Sequence, residues 1–106
     1  MDARATRSEA AAVTASPILI VCGTRPEIIK LAPLYHELKR RPWARVAWLH
    51  TGQHAAMADQ ILRNFDIHPD ITLTRQGDSL LDFSLGCRAQ LDAVLADGGW
   101  ATVVVQ

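Results

Sequence analysis

Residues 17–27, Pro17-Ile18-Leu19-Ile20-Val21-Cys22-Gly23-Thr24-Arg25-Pro26-Glu27, decide the fold. Ile18 to Cys22 is a short apolar run with three β-branched or branched aliphatic types and no polar residue. Such a run suits a strand buried on both faces. Gly23-Thr24 ends it, and Pro26 suits the first turn of a helix, where its missing N–H leaves no bond unmade. Ile28, Leu31, Ala32, Tyr35 and Leu38 then recur at helical spacing. Lys39-Arg40-Arg41 put positive charge at the C-terminal end, complementing the helix dipole. Pro42 ends the helix. Pro33, inside it, removes one backbone hydrogen bond and is expected to bend it.

The same alternation continues toward the C-terminus. Arg45–His50 reads as a second strand and Thr51-Gly52-Gln53-His54 as a loop. Met57, Ile61, Leu62 and Phe65 mark a second helix ending near Asp66. His68-Pro69-Asp70 is a turn, and Ile71-Thr72-Leu73 a short third strand. Arg75-Gln76-Gly77-Asp78 is polar and expected to be mobile. Ser79 with Asp82 has the capping-box pattern, opening a third helix through Leu80, Phe83, Cys87, Leu91, Val94 and Leu95. Asp97-Gly98-Gly99 closes that helix with a glycine cap, and Trp100–Gln106 begins a fourth strand. The order β-α-β-α-β-α-β implies an α/β fold with a parallel sheet and right-handed crossovers. In such sheets ligands bind beyond the carboxyl ends of the strands.

Toward the N-terminus, residues 1–16 are Ala-rich, with Arg4, Arg7 and Glu9, and read as a mobile extension. Glu9 interrupts any secretory apolar core, and Asp2 and Glu9 count against a transit peptide. Residues 17–106 remain for the fold. The 106 residues carry 11 Lys+Arg against 11 Asp+Glu, with 49% hydrophobic and 21% charged residues. This composition describes one globular unit rather than a disordered chain. The balanced charge argues against a nucleic-acid partner, and no apolar run approaches the roughly 18 residues of a membrane span. Cys22 and Cys87 are too few for a disulfide framework, so a cytoplasmic location is expected.

Chemistry is sought at the loops that follow strands. Gly23-Thr24-Arg25-Pro26-Glu27 is neither a dinucleotide fingerprint nor a P-loop, but it joins a buried strand to a helix N-terminus, a natural place for an anion. Gly23 permits close approach to the backbone, Thr24 offers a hydroxyl, Arg25 a planar fork for phosphate oxygens and Lys30 a second cation on the same element. Glu27 competes for the same positive end, and the alternative is a surface ion pair between Arg25 and Glu27. In the second loop, Gln53 and His54 can hydrogen-bond a base, ribose or phosphate, or simply form a polar turn in which His54 caps the next helix. His50 and His54 do not share a helical face, so no metal site is expected. His36 and His68 read as surface and turn residues, Cys22 as a buried strand end, and Trp43, Trp48 and Trp100 as packing residues.

Two of these pieces together look like a known pattern. Gly23-Thr24-Arg25-Pro26-Glu27-Ile28-Ile29-Lys30-Leu31-Ala32-Pro33-Leu34 resembles the opening signature of the non-hydrolysing UDP-N-acetylglucosamine 2-epimerases. Thr51-Gly52-Gln53-His54 with Met57 and Asp59 resembles that family's second loop, T-[AG]-Q-H-x-x-M-x-D. The resemblance covers roughly residues 17–106. It implies interconversion of UDP-GlcNAc and UDP-ManNAc by removal of the C2 proton, elimination of UDP and its re-addition, without metal or nicotinamide. It also implies a two-domain glycosyltransferase-B-type fold, a homodimer for the complete enzyme and a place in cell-envelope polysaccharide synthesis.

By that resemblance Arg25 and Lys30 match basic residues near the nucleotide diphosphate and, with Gly23 and Thr24 of the same loop, are expected to bind the UDP-sugar, while Gln53 and His54 match a loop that in some members serves a regulatory site. Residues 17–106 then form an incomplete N-terminal Rossmann-like domain. The family's catalytic aspartate lies in a Gly-Asp-Thr loop beyond the strand that here reads Val103-Val104-Val105-Gln106. No residue of this chain matches the proton-transfer groups, and the chain alone is expected to be inactive. The alternatives are a free-standing nucleotide-sugar binding module, and the N-terminal domain of a hydrolysing epimerase or a related glycosyltransferase.

Overall fold

The computed structural model describes residues 15–52, 55–74 and 79–106. The expected mobile extension, apart from Ala15 and Ser16, and the polar loop at 75–78 lie outside the described residues. The elements are β1 (Ser16–Cys22), α1 (Arg25–Lys39), β2 (Ala44–His50), α2 (Ala55–Asn64), β3 (Ile71–Thr72), α3 (Leu80–Gly98) and β4 (Thr102–Val105). Ser16, expected in the extension, is already in β1, where its N–H donates to the Trp43 carbonyl at 2.8 Å.

All strand pairs are parallel, in the order β3-β2-β1-β4. The chain steps outward from β1 to β2 to β3, then returns past both to place β4 on the other side of β1. Right-handed crossovers then require α1 and α2 on one face and α3 on the other. Strand alternation shows the same division. Ile18, Ile20, Cys22, Val46 and Trp48 pack with Ile28, Leu31, Tyr35 and Leu38 of α1 and with Ala58 and Leu62 of α2. The intervening Leu19, Val21, Ala47 and Leu49 meet Cys87, Leu91 and Val94 of α3, with Trp100. This two-sided burial is why β1 contains no polar position between Ile18 and Cys22.

The register places Ile20 opposite Trp48 and Cys22 opposite His50. Tyr35 meets Trp48 edge-on, with ring centroids 5.3 Å apart, the arrangement favoured by ring quadrupoles. Asp70 extends the β2 edge before β3 begins. Its carboxylate accepts from Trp48 N at 2.7 Å, and its own N–H donates to the Trp48 carbonyl at 2.9 Å.

Helix ends follow the expected chemistry. Ser79 Oγ accepts from Asp82 N at 2.9 Å, and Gly99 takes the left-handed cap at φ 59°. α1 runs unbroken from Arg25 to Lys39 through Pro33. Pro33 and Ile29, whose carbonyl loses its partner there, are both exposed, so water can take the missing bond.

Two further expectations are corrected. His36 is half-buried and its Nε2 donates to the Phe65 carbonyl at 2.6 Å, tying α1 to the end of α2. Trp43 is 57% exposed rather than packed, because it stands in the turn entering β2, beyond the cover of either helix layer. Among the described residues, no helix is long and apolar enough to cross a membrane.

Candidate functional site

The strand order reverses between β1 and β4, and a doubly wound sheet opens a crevice at that switch point. Here a cavity of about 190 Å³ lies at the carboxyl ends of these two strands. Cys22, Gly23, Glu27 and Thr51 line one side, and Phe83, Cys87, Val105 and Gln106 the other. Thr51 N–H donates to the Cys22 carbonyl at 2.9 Å, carrying the β1–β2 ladder one residue past the strand ends. This brings the second loop against the first. A Cβ on Gly23 would lie 2.1 Å from Thr51 Oγ1, so the missing side chain of Gly23 accommodates Thr51.

Glu27 does not pair with Arg25, the alternative weighed from the sequence. Its Oε1 accepts from Gly23 N at 2.8 Å and from Thr24 N at 2.9 Å. The carboxylate turns back toward the helix N-terminus, where the dipole and the free N–H groups favour negative charge. Thr24, the N-cap, is extended at φ −113° and ψ 160°. Two of the main-chain donors at this turn, Gly23 N and Thr24 N, are therefore held by the protein's own carboxylate. The Cys22 thiol is pushed up to about 12, chiefly by burial and further by the Glu27 charge, and burial raises Cys87 as well. Neither cysteine is poised as a thiolate nucleophile.

Arg25 and Lys30 are both exposed, but they do not share a helix face. Five residues correspond to about 140° around the axis. Lys30 is one turn beyond Glu27 on the same side. Arg25 instead lines a groove of about 200 Å³ between α1 and α2, with Met57, Gln60, Ile61 and Asn64. Among the described residues Arg25 takes part in no ion pair. Gln53 and His54 lie outside the described residues.

Sequence reasoning missed several lining groups. Gln60 and Asn64 stand four apart on α2, a spacing that puts both on one face. Phe83 and Cys87 repeat that spacing on α3, where the sequence marks them only as positions of the helix. His50 is 2% exposed, and neither ring nitrogen has a hydrogen-bond partner among the described residues. Among the described residues, no three His, Cys, Asp or Glu side chains gather as a metal-ligand set.

A parallel 3-2-1-4 sheet with helices on both faces and a crevice at its switch point defines half of a Rossmann-like domain. Comparison with known proteins identifies which one. No family model matches the chain. The UDP-N-acetylglucosamine 2-epimerase of Salmonella borreze is 43% identical over 83 residues, covering 76% of this chain and 22% of that protein. The UDP-GlcNAc 2-epimerase of Neisseria meningitidis, solved with UDP-GlcNAc bound, superposes with a TM-score of 0.76 at 34% identity, covering 84% of this chain and 24% of that one. S. aureus MnaA, solved with UDP, gives a TM-score of 0.75 at 31% identity over 83% of this chain and 23% of that one. The chain belongs to the UDP-N-acetylglucosamine 2-epimerase family and spans about a fifth of the length of the curated relatives it matches.

Proposed function

We propose that this chain is the N-terminal, cleft-lining part of a non-hydrolysing epimerase that interconverts UDP-GlcNAc and UDP-ManNAc. The observation that carries the reading is the Gly23-Thr24 turn and the first turns of α1 up to Lys30, set at the carboxyl end of β1 next to the switch point. It stands in a chain whose relatives bear the epimerase name and whose solved neighbours hold UDP-GlcNAc or UDP.

In this reading residues 17–106 belong to one Rossmann-like domain, with 1–16 outside it. Gly23 and Thr24 shape the loop, Arg25 and Lys30 supply positive charge to the diphosphate, and Gln53 and His54 serve the second loop. Expelling UDP builds negative charge on a phosphate oxygen, and a fixed cation there stabilises the transition state more than the ground state. Proton transfer at C2 falls to groups outside this chain, which supplies binding rather than turnover. The complete enzyme is a cytoplasmic homodimer feeding polysaccharide synthesis.

A chimera tests the assignment. Residues 17–106 replace the matching segment of a relative, and UDP-ManNAc formation is followed by NMR. The chimera is expected to turn over, and Arg25→Ala to lower its rate at least about tenfold, equivalent to roughly 1.4 kcal/mol of barrier. Unchanged kcat and KM in that variant would remove Arg25 from the reaction. Turnover by the chain alone would overturn the division between binding and catalysis.

A further inference from the structure

The crevice between β1 and β4 differs chemically from the cationic surroundings of Arg25. Among the described residues its lining contains no Lys or Arg; it offers the Glu27 carboxylate, the Thr51 hydroxyl, the Gln106 amide, two neutral thiols and the Phe83 ring. At about 190 Å³ it falls below the roughly 300 Å³ at which pockets for drug-sized ligands begin. That leaves room for one small group rather than a whole nucleotide.

Two main-chain donors at the edge of this space, Gly23 N and Thr24 N, are both taken by Glu27 Oε1. A phosphate entering here would meet a carboxylate, with the Gly23 and Thr24 N–H groups already engaged. Charge repulsion and the absent hydrogen bonds both disfavour it. The second carboxylate oxygen, Oε2, has no donor among the described residues. Two hydrogen bonds to Oε1 anchor the carboxylate, leaving Oε2 as a strong, pre-positioned acceptor. Its natural partner is a hydroxyl or amide N–H on an uncharged group.

Resting on the reading of this chain as nucleotide-sugar binding, we propose that Glu27 is a sugar-contacting residue. Its anchored carboxylate bars phosphate from the Gly23-Thr24 turn and accepts a hydrogen bond from the sugar's hydroxyl or acetamido N–H. The diphosphate is left to the Arg25 and Lys30 side chains, outside the crevice. The loop thus sorts the two halves of the ligand by charge.

Glu27→Gln is the discriminating change. The Gln Oε1 can still accept from Gly23 and Thr24, so the turn keeps its form. The amide NH₂ replaces the charged acceptor with a neutral donor, so the charge-assisted bond from the sugar is lost. The test follows backbone amide shifts of the ¹⁵N-labelled chain titrated with inorganic phosphate, UDP and UDP-GlcNAc.

In the parent, phosphate and UDP are expected to leave the Gly23 and Thr24 amides in place, whereas UDP-GlcNAc moves them. In Glu27→Gln these amides should start near their parent positions, UDP should bind as before, and the advantage of UDP-GlcNAc over UDP should fall by about tenfold, the loss typical of one charge-assisted hydrogen bond. Saturable movement of Gly23 and Thr24 by phosphate or UDP in the parent overturns the proposal without any variant. An unchanged UDP-GlcNAc advantage in Glu27→Gln overturns the sugar contact. If neither nucleotide perturbs any amide, the nucleotide-sugar reading fails and takes the contact with it. In that case displaced Gly23 and Thr24 amides in Glu27→Ala would still establish the anchoring bonds separately.

Discussion

The two faces of the sheet are covered by helices of different character. On the first, α1 and α2 bury Ile28, Tyr35, Ala58 and Leu62 almost completely over Ile20 and Trp48, and the solvent side of α1 carries Arg25, Lys30 and Lys39 beside Ile29 and Leu34. On the second, α3 settles only partly buried side chains, Cys87, Leu91 and Val94, over Leu19 and Leu49. Several of its outer positions are apolar too: Leu80, Leu81 and Leu85 are 70%, 67% and 58% exposed. β4, beside β1, leaves Val103 and Val105 open. The first face carries a finished core. The second adds exposed leucines at the start of α3 to the polar row Ser84, Arg88 and Asp92, and an exposed apolar cluster of that kind is usual where a helix is covered on more than one side.

The largest test of this contrast is Trp48→Ala. Trp48 is fully buried at the centre of the first face, and its truncation is expected to lose about 3–5 kcal/mol, enough to unfold most of the chain in a urea titration. A loss near 1 kcal/mol would mean that the first face is no better packed than the second. Gly23→Ala comes next. Its Cβ meets Thr51 Oγ1, and the overpacking is expected to cost about 1–3 kcal/mol. Adding Thr51→Ala should recover more than half of that in the same titration, and no recovery would show that the loops do not meet through this contact.

Ser79→Ala removes the bond that caps α3 and is expected to cost about 1 kcal/mol. Loss of helical circular dichroism well before the global transition would show α3 melting apart from the first face. Leu85→Ser, on the outer side of α3, should change chain stability by under about 0.5 kcal/mol. A cost of several kcal/mol would show that this side is already covered in solution and would break the comparison at its weaker end.

Much of the fold was legible in the sequence, for identifiable reasons. The unpunctuated run of β1, the helical recurrence from Ile28 to Leu38 and the Ser79 and Gly99 caps are local signals, and each element formed within about two residues of its expected position. Less of the candidate site was legible. Arg25 and Glu27 are two apart, and the sequence left open whether they pair. The structure gives Glu27 to the backbone of its own turn and Arg25 to a groove shared with Gln60 and Asn64. Calling Arg25 and Lys30 two cations on one element was correct, but their separation around the helix matters as much as their separation along it. His36 looked like a surface residue because its partner, the Phe65 carbonyl, is 29 residues away.

The sequence by itself determined the elements, their order and their parallel pairing, because periodicity, prolines and caps act over a few residues. It also carried the family pattern in the two loops. Only the tertiary structure decided that β4 joins β1 on the side away from β2, that a crevice opens between β1 and β4, and that Glu27 faces it. Those outcomes depend on contacts between residues far apart in the chain, where crossover handedness and the competition for a few main-chain donors choose among arrangements that local sequence leaves equal.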